Sequence, residues 1–130
     1  MPAVTIPIRL GAMVVHESER KSRPVYGEGV QRVRKQILVG PRDGFAGYLR
    51  EFTLEDGGKT PYHRHDWPHV VYILEGRGCL SYEGAEQALR QGSLAYTEPN
   101  KMHGFANAGA GPLRFLCLVP ERGDAYSEED

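Results

Sequence analysis

Cysteine is scarce in this chain. Only Cys79 and Cys117 occur among 130 residues, and neither has a C-x-x-C partner, which excludes a disulfide-stapled secreted scaffold and fits a reduced, cytoplasmic setting. Surplus charge is missing too. Sixteen Lys and Arg against 17 Asp and Glu leave a formal charge of −1, without the basic excess that draws a protein to nucleic acid. Long apolar runs are also lacking. The opening stretch Met1 to Arg9 has no basic start and is broken by Pro7 and Arg9, so it does not read as a signal peptide, and no segment reaches the apolar length needed to span a bilayer. Neither nucleic acid nor membrane is expected as a partner. No internal repeat or inter-domain linker is visible, and the length suits one domain that buries roughly two-thirds of the surface of its unfolded chain.

Turn formers are abundant instead. Sixteen Gly and nine Pro separate short apolar runs, a pattern that predicts an all-β architecture with little helix. Residues 1–29 read as one edge strand, over the apolar run Leu10 to Val15, followed by a polar loop through Pro24. Residues 30–120 hold the regular strands. The expected strands are Val30 to Val39, Phe45 to Leu54, a histidine strand ending near His65, His69 to Leu74, Cys79 to Tyr82, Ala88–Leu89, Ser93 to Thr97, His103 to Asn107 and Leu113 to Val119. Turns fall at Gly40 to Gly44, at Glu55-Asp56-Gly57-Gly58 and at Glu75 to Gly78. The tail 121–130 is acidic and poor in apolar residues, and is expected to fray. Strands this short and evenly spaced suggest a small barrel or double-sheet jelly roll with a ligand inside.

The densest chemistry lies in Tyr62-His63-Arg64-His65-Asp66-Trp67-Pro68-His69. In an extended strand His63 and His65 point to one face, and the Asp66-Trp67-Pro68 turn lets His69 return from the next strand towards the same point. His103 follows a second turn-like cluster, Glu98-Pro99-Asn100-Lys101. A single histidine is ordinarily a surface or core residue, but four of the chain's five in this arrangement point to a metal site, with only His16 outside it.

These residues resemble the cupin superfamily. Gly57, His63, His65, position 69 and Gly76 fall on the spacing of its first motif, and Gly92, His103 and Asn107 on that of its second. There are three departures. Pro99 is displaced by one position from the second motif's proline. Position 69 is His where the family has Glu, and Asn100 stands where the second motif's turn has Gly, a role Asn tolerates because it enters left-handed backbone readily. The resemblance implies a double-stranded β-helix, or jelly-roll barrel, with metal ligands His63, His65, His69 and His103. The all-histidine set is similar to small single-domain bacterial cupins, some manganese- or iron-binding and linked to oxidative cleavage, others zinc-dependent polyketide cyclases. It therefore implies one divalent ion, Mn or Fe first, with Zn, Ni or Cu also compatible with imidazole. Four neutral imidazoles leave the ion its full charge, which favours an anionic or enolate small-molecule substrate.

Candidate catalytic groups around the metal are Cys117, Arg50, Tyr48 and Glu98. Cys117 shares its parity with Leu113, Phe115 and Val119, so it is expected inside the barrel with Arg114 outside. Tyr96 and Trp67 are further polar candidates, Trp67 as a lip of the pocket or as simple packing. The expected function is a mononuclear metal-dependent oxygenase acting on a small oxygen-chelating organic substrate. Its alternatives are a redox-neutral Lewis-acid isomerase, cyclase or lyase, and a non-catalytic ligand-binding barrel. A homodimer is expected, because a small barrel with an ill-patterned N-terminal strand commonly covers an exposed sheet edge with its partner.

Overall fold

The computed structural model describes residues 13–124. Nine strands fill that stretch: β1 (Ser22–Val25), β2 (Gln31–Val39), β3 (Gly47–Lys59), β4 (His69–Glu75), β5 (Arg77–Tyr82), β6 (Ala85–Arg90), β7 (Leu94–Thr97), β8 (His103–Asn107) and β9 (Leu113–Pro120). Three short 3-10 turns, Glu17–Glu19, Pro41–Asp43 and Glu121–Gly123, are the remaining elements. The sheet runs β6-β5-β8-β3-β9-β4-β7, with β2 pairing on β3 and β1 on β2. It curls so that one face encloses the core, as the jelly-roll expectation requires.

Period-two alternation does the sorting. Val71 pairs with Cys117, which pairs with Arg50, and Ile73 pairs with Phe115, which pairs with Phe52, so these two rows point inward together. Leu54, Val71, Ile73 and Leu113 are fully buried, each contributing roughly 1.5–3 kcal/mol of hydrophobic stabilisation. Phe52 and Phe105 both stack on Phe115, at 5.6 and 5.1 Å between centroids. The expected parity of β9 holds, with Cys117 buried and Arg114 outside, where it pairs with Glu17, Glu51 and Glu75.

Several local expectations are corrected. Glu55 to Gly58 does not turn the chain round; β3 runs through it as a bulge, with Val33 paired to Leu54 and Gln31 to Lys59. Gly57 takes φ 75 there, and a Cβ on Gly58 would meet the Glu55 carbonyl at 2.7 Å, so the double glycine absorbs the extra residues instead of reversing direction. No histidine strand forms. Thr60 to Pro68 is irregular apart from an isolated bridge between His63 and His103, because Pro61 and Pro68 supply no N–H to a ladder. The expected edge strand over Leu10 to Val15 lies partly outside the described residues, and Met13 to Val15 is not strand.

The tail is also held further than its composition suggests. Through Asp124 it does not fray: Gly123 is buried, and the Asp124 carboxylate accepts from Lys35 Nζ at 2.9 Å and Arg50 Nη1 at 3.2 Å. Two buried cations fix it there. Residues 125–130 lie outside the described residues. No helix among the described residues is long and apolar enough to cross a membrane.

Candidate metal centre

Three elements bring the histidines together. The Thr60 to Pro68 segment is laced to β8 by Thr60 N–H donating to Phe105 O (2.9 Å) and by paired bonds between His63 and His103 (3.0 and 2.8 Å). Gly104 makes that approach possible, since a Cβ there would lie 2.9 Å from the Pro61 carbonyl oxygen. The His65 carbonyl accepts from Asn100 N–H, whose residue takes the left-handed φ of 66. Asn100 therefore does the work of the glycine usual at that turn. His69 opens β4, and its ring meets the others from the side.

One candidate ligand nitrogen from each of His63, His65 and His103 lies within 4.8 Å of the other two. His69 joins them through His65, Nε2 to Nε2 at 2.9 Å, and its ring centroid is 5.0 Å from that of His103. His16 stands apart as the exposed cap of the first 3-10 turn.

Hydrogen bonding fixes which nitrogen faces inward. His65 Nδ1 lies 3.0 Å from the Trp67 carbonyl and His103 Nδ1 2.8 Å from the Lys101 carbonyl. A carbonyl only accepts, so both Nδ1 atoms carry the proton and both Nε2 atoms present a lone pair. His103 Nε2 is buried without a partner. An inward-facing lone pair with nothing to accept is the signature of a ligand position. The set fits a divalent ion.

Electrostatics agree. Burial first, then the neighbouring His103, lowers the pKa of His63; burial, then His103 and His63, lowers His65 to about 4; burial, then Arg50, lowers His69 to about 2; burial lowers His103. All four imidazoles are neutral at pH 7, the state a metal needs.

The histidines open on a cavity of about 40 Å³, also lined by Arg50, Phe52, Thr60, Trp67, Phe105, Phe115 and Cys117. It holds a few waters' volume, enough for the chelating head of a small molecule. Trp67 stacks flat on His65, 4.0 Å between centroids at 8°, and so braces a ring as well as lining the wall. Arg50 and Cys117 reach the pocket together. Arg50 Nη2 donates to Cys117 Sγ at 3.2 Å, the same sulfur lies 2.9 Å from His69 Nδ1, and Arg50 Nε is buried without a partner. Burial pushes the Cys117 thiol up, against the pull of Arg50.

The other candidates lie elsewhere. Tyr48 packs beside Gly40, Glu98 is an exposed turn residue whose N–H donates to Tyr82 Oη, and Tyr96 is on the outer face. Sequence reasoning missed Lys35 and Asp124. Lys35 shares strand parity with the buried Val33, a signal for an inward position, but nothing local marks Asp124.

Residues 50–119 match the cupin domain. The chain belongs to the cupin family. An uncharacterised protein of Methanocaldococcus jannaschii is 34% identical over 111 residues, 85% of this chain and 86% of its own. The 1-methylthio-D-xylulose 5-phosphate methylsulfurylase of Rhodospirillum rubrum is 33% identical over 87 residues, covering 67% of this cupin and 55% of the enzyme. Among solved structures, the polyketide cyclase RemF from Streptomyces resistomycificus superposes with a TM-score of 0.81 at 26% identity, covering 92% of this cupin and 87% of the cyclase.

Proposed function

We propose that this cupin is a mononuclear metalloenzyme, with His63, His65, His69 and His103 as ligands of one divalent ion, Mn or Fe first, and a small, anionic, oxygen-chelating molecule as substrate. The observation that carries this reading is the set of neutral imidazoles converging on a pocket that no carboxylate lines. With no protein anion beside it, a bound ion keeps its charge for the substrate, whose oxygens it polarises. Arg50 gives the substrate's negative group a second cation, because its Nε is buried in the pocket wall with no acceptor. Phe52, Phe105 and Phe115 keep water from the rest of the chelate. The unpaired cysteines, Cys117 buried and Cys79 half-buried, suit a reducing cytoplasm.

The reaction we favour is oxygenation, in which dioxygen is the oxidant and a chelated enol or phenol the reductant. What supports it is a pocket lining without Asp or Glu, so that one common class of general base for proton-shuttling isomerisation is missing there. A second reading, redox-neutral Lewis-acid chemistry, is favoured by the likeness to the polyketide cyclase, with Cys117 moving the proton. Oxygen uptake by tag-free protein reconstituted with Mn or Fe, in the presence of a chelating enol, separates the two. Uptake tied to substrate loss supports oxygenation; substrate conversion without uptake, or with zinc alone, supports the Lewis-acid reading. Binding without turnover contradicts both and leaves a ligand-binding barrel.

A further inference from the structure

Two buried cations stand beside the pocket, Lys35 from β2 and Arg50 from β3, each 1% exposed. Both donate to one oxygen. Lys35 Nζ lies 2.9 Å and Arg50 Nη1 3.2 Å from Oδ1 of Asp124, whose side chain is 11% exposed and so enters this cradle from the solvent side, at the end of the last turn. The turn's other polar ties are slight. Its N-cap, Pro120, makes no side-chain cap bond, and Arg122 pairs with Asp66 at 3.6 Å where both side chains are more than half exposed, a contact of small worth. Gly123 then lies against Trp67, where a Cβ would come within 2.9 Å of the indole, and closes that side of the pocket. Under this cover Trp67 Nε1 is buried with no acceptor, as is Arg50 Nε in the pocket wall. Both atoms only donate, and leaving buried donors unpaired works against the closed arrangement.

We propose that Lys35 and Arg50 form an anion subsite beside the metal pocket, that Asp124 is its tethered occupant, and that a carboxylate of the ligand replaces Asp124 as the last turn lifts from Trp67. The occupant names the chemistry. Donors already matched to a carboxylate oxygen receive another carboxylate without rearrangement, and Arg50 is fixed for it by Cys117 Sγ, 3.2 Å from Nη2, and by the Phe52 ring, 4.9 Å from the guanidinium carbon. As a stabilising device alone, a buried ion pair offers little that apolar packing would not. With the turn down, the cavity of about 40 Å³ takes the chelating head only; with it lifted, the room extends to Lys35. The inference rests on the proposed reading of the pocket as a ligand site, and adds that the ligand carries a carboxylate away from its chelating end. Asp124 competes at the roughly millimolar effective concentration of a tethered group, so a ligand anchored elsewhere in the pocket displaces it most readily.

Trp67 is the chain's single tryptophan, so its fluorescence reads the turn directly. The full chain, metal-free so that chelation contributes nothing, is titrated with sodium acetate, the free counterpart of the Asp124 side chain. Sodium chloride at matched ionic strength and neutral acetamide are the controls. Acetate alone should move the emission to the red, and the shift should saturate. Asp124→Asn removes the charged competitor, and Gly123→Ala props the turn off Trp67 while keeping Asp124, Lys35 and Arg50. In each the emission should start further to the red and acetate should bind about tenfold or more tightly than in the wild type; Gly123→Ala carries the comparison if the asparagine variant does not fold. A wild-type emission that acetate leaves unmoved up to molar concentration, or that chloride moves equally, would overturn the exchange. An acetate affinity indifferent to positions 123 and 124 would overturn the subsite. Neither result touches the histidines, whose own test is ion uptake, so failure here and failure of the metal reading are told apart.

Discussion

Cys117 stands between a cation and an imidazole, with Arg50 Nη2 donating to its sulfur and His69 Nδ1 within 2.9 Å. For His69 to offer Nε2 to a metal, its Nδ1 must carry the proton and donate to that sulfur, so the thiol's acceptor capacity sets the useful tautomer. Cys117→Val removes the acceptor and leaves two buried donors unpaired. It should cost about 1–3 kcal/mol of stability in urea titrations and weaken metal binding by about 10- to 100-fold in competition with a chromogenic chelator. Cys117→Ser, which keeps an acceptor, should recover most of the metal affinity. A valine variant with unchanged affinity would show that the sulfur only fills space.

The histidine pKa shifts make a second prediction at this scale. In the folded, metal-free protein His65 is held down to about 4 and His69 to about 2, largely by burial. Below the ordinary value of 6.5 the unfolded chain takes up protons that the folded pocket refuses. Stability present above pH 6.5 is therefore lost as the pH falls, progressively to about 4 for His65 and beyond for His69. The melting temperature of the apoprotein should drop across that window, and the drop should shrink in a His69→Gln variant. A flat profile from pH 7 to 4.5 would contradict the burial argument.

Among the elements, the last turn contributes most unexpectedly. Asp124 pairs with both Lys35 from β2 and Arg50 from β3, each almost fully buried, so it offsets one of the two charges and ties the chain end to the wall of the pocket. Asp124→Asn should destabilise the fold by about 3 kcal/mol, since it strips a carboxylate from two desolvated cations, and denaturant unfolding reads that directly. A loss below about 0.5 kcal/mol, the range of an exposed pair, would contradict it. This element was hidden in the sequence because the partners lie 89 and 74 residues apart and the tail's local composition speaks only of solvent. The strands of residues 30–120 were legible because parity and turn glycines are local signals: Leu113, Phe115, Cys117 and Val119 are all buried, as their alternation predicts. The Glu55 to Gly58 bulge was misread for the same reason. A double glycine announces a departure from regular backbone, but whether it turns the chain or bulges depends on how β2 pairs beyond it. The histidines themselves were legible as a spacing, although Pro61 and Pro68 replace the expected strand by an irregular segment braced on β8.

At the scale of the whole molecule, the barrel and the centre are separable. The core of Leu54, Val71, Ile73, Leu113 and Phe115 is apolar and continuous, so the fold does not wait for a metal, unlike small domains that are unfolded without one. Binding should still raise the melting temperature in proportion to the logarithm of free metal, because only the folded chain assembles the four rings. That assembly is the defining property of the centre. Its most direct test is metal stoichiometry, by elemental analysis of tag-free protein dialysed against a slight excess of Mn, Fe or Zn, with His103→Ala alongside. The expected result is close to one ion per chain in the wild type and almost none in the variant, whose β spectrum persists. A folded wild type that takes up no ion, or a variant that binds as well as the wild type, would contradict it.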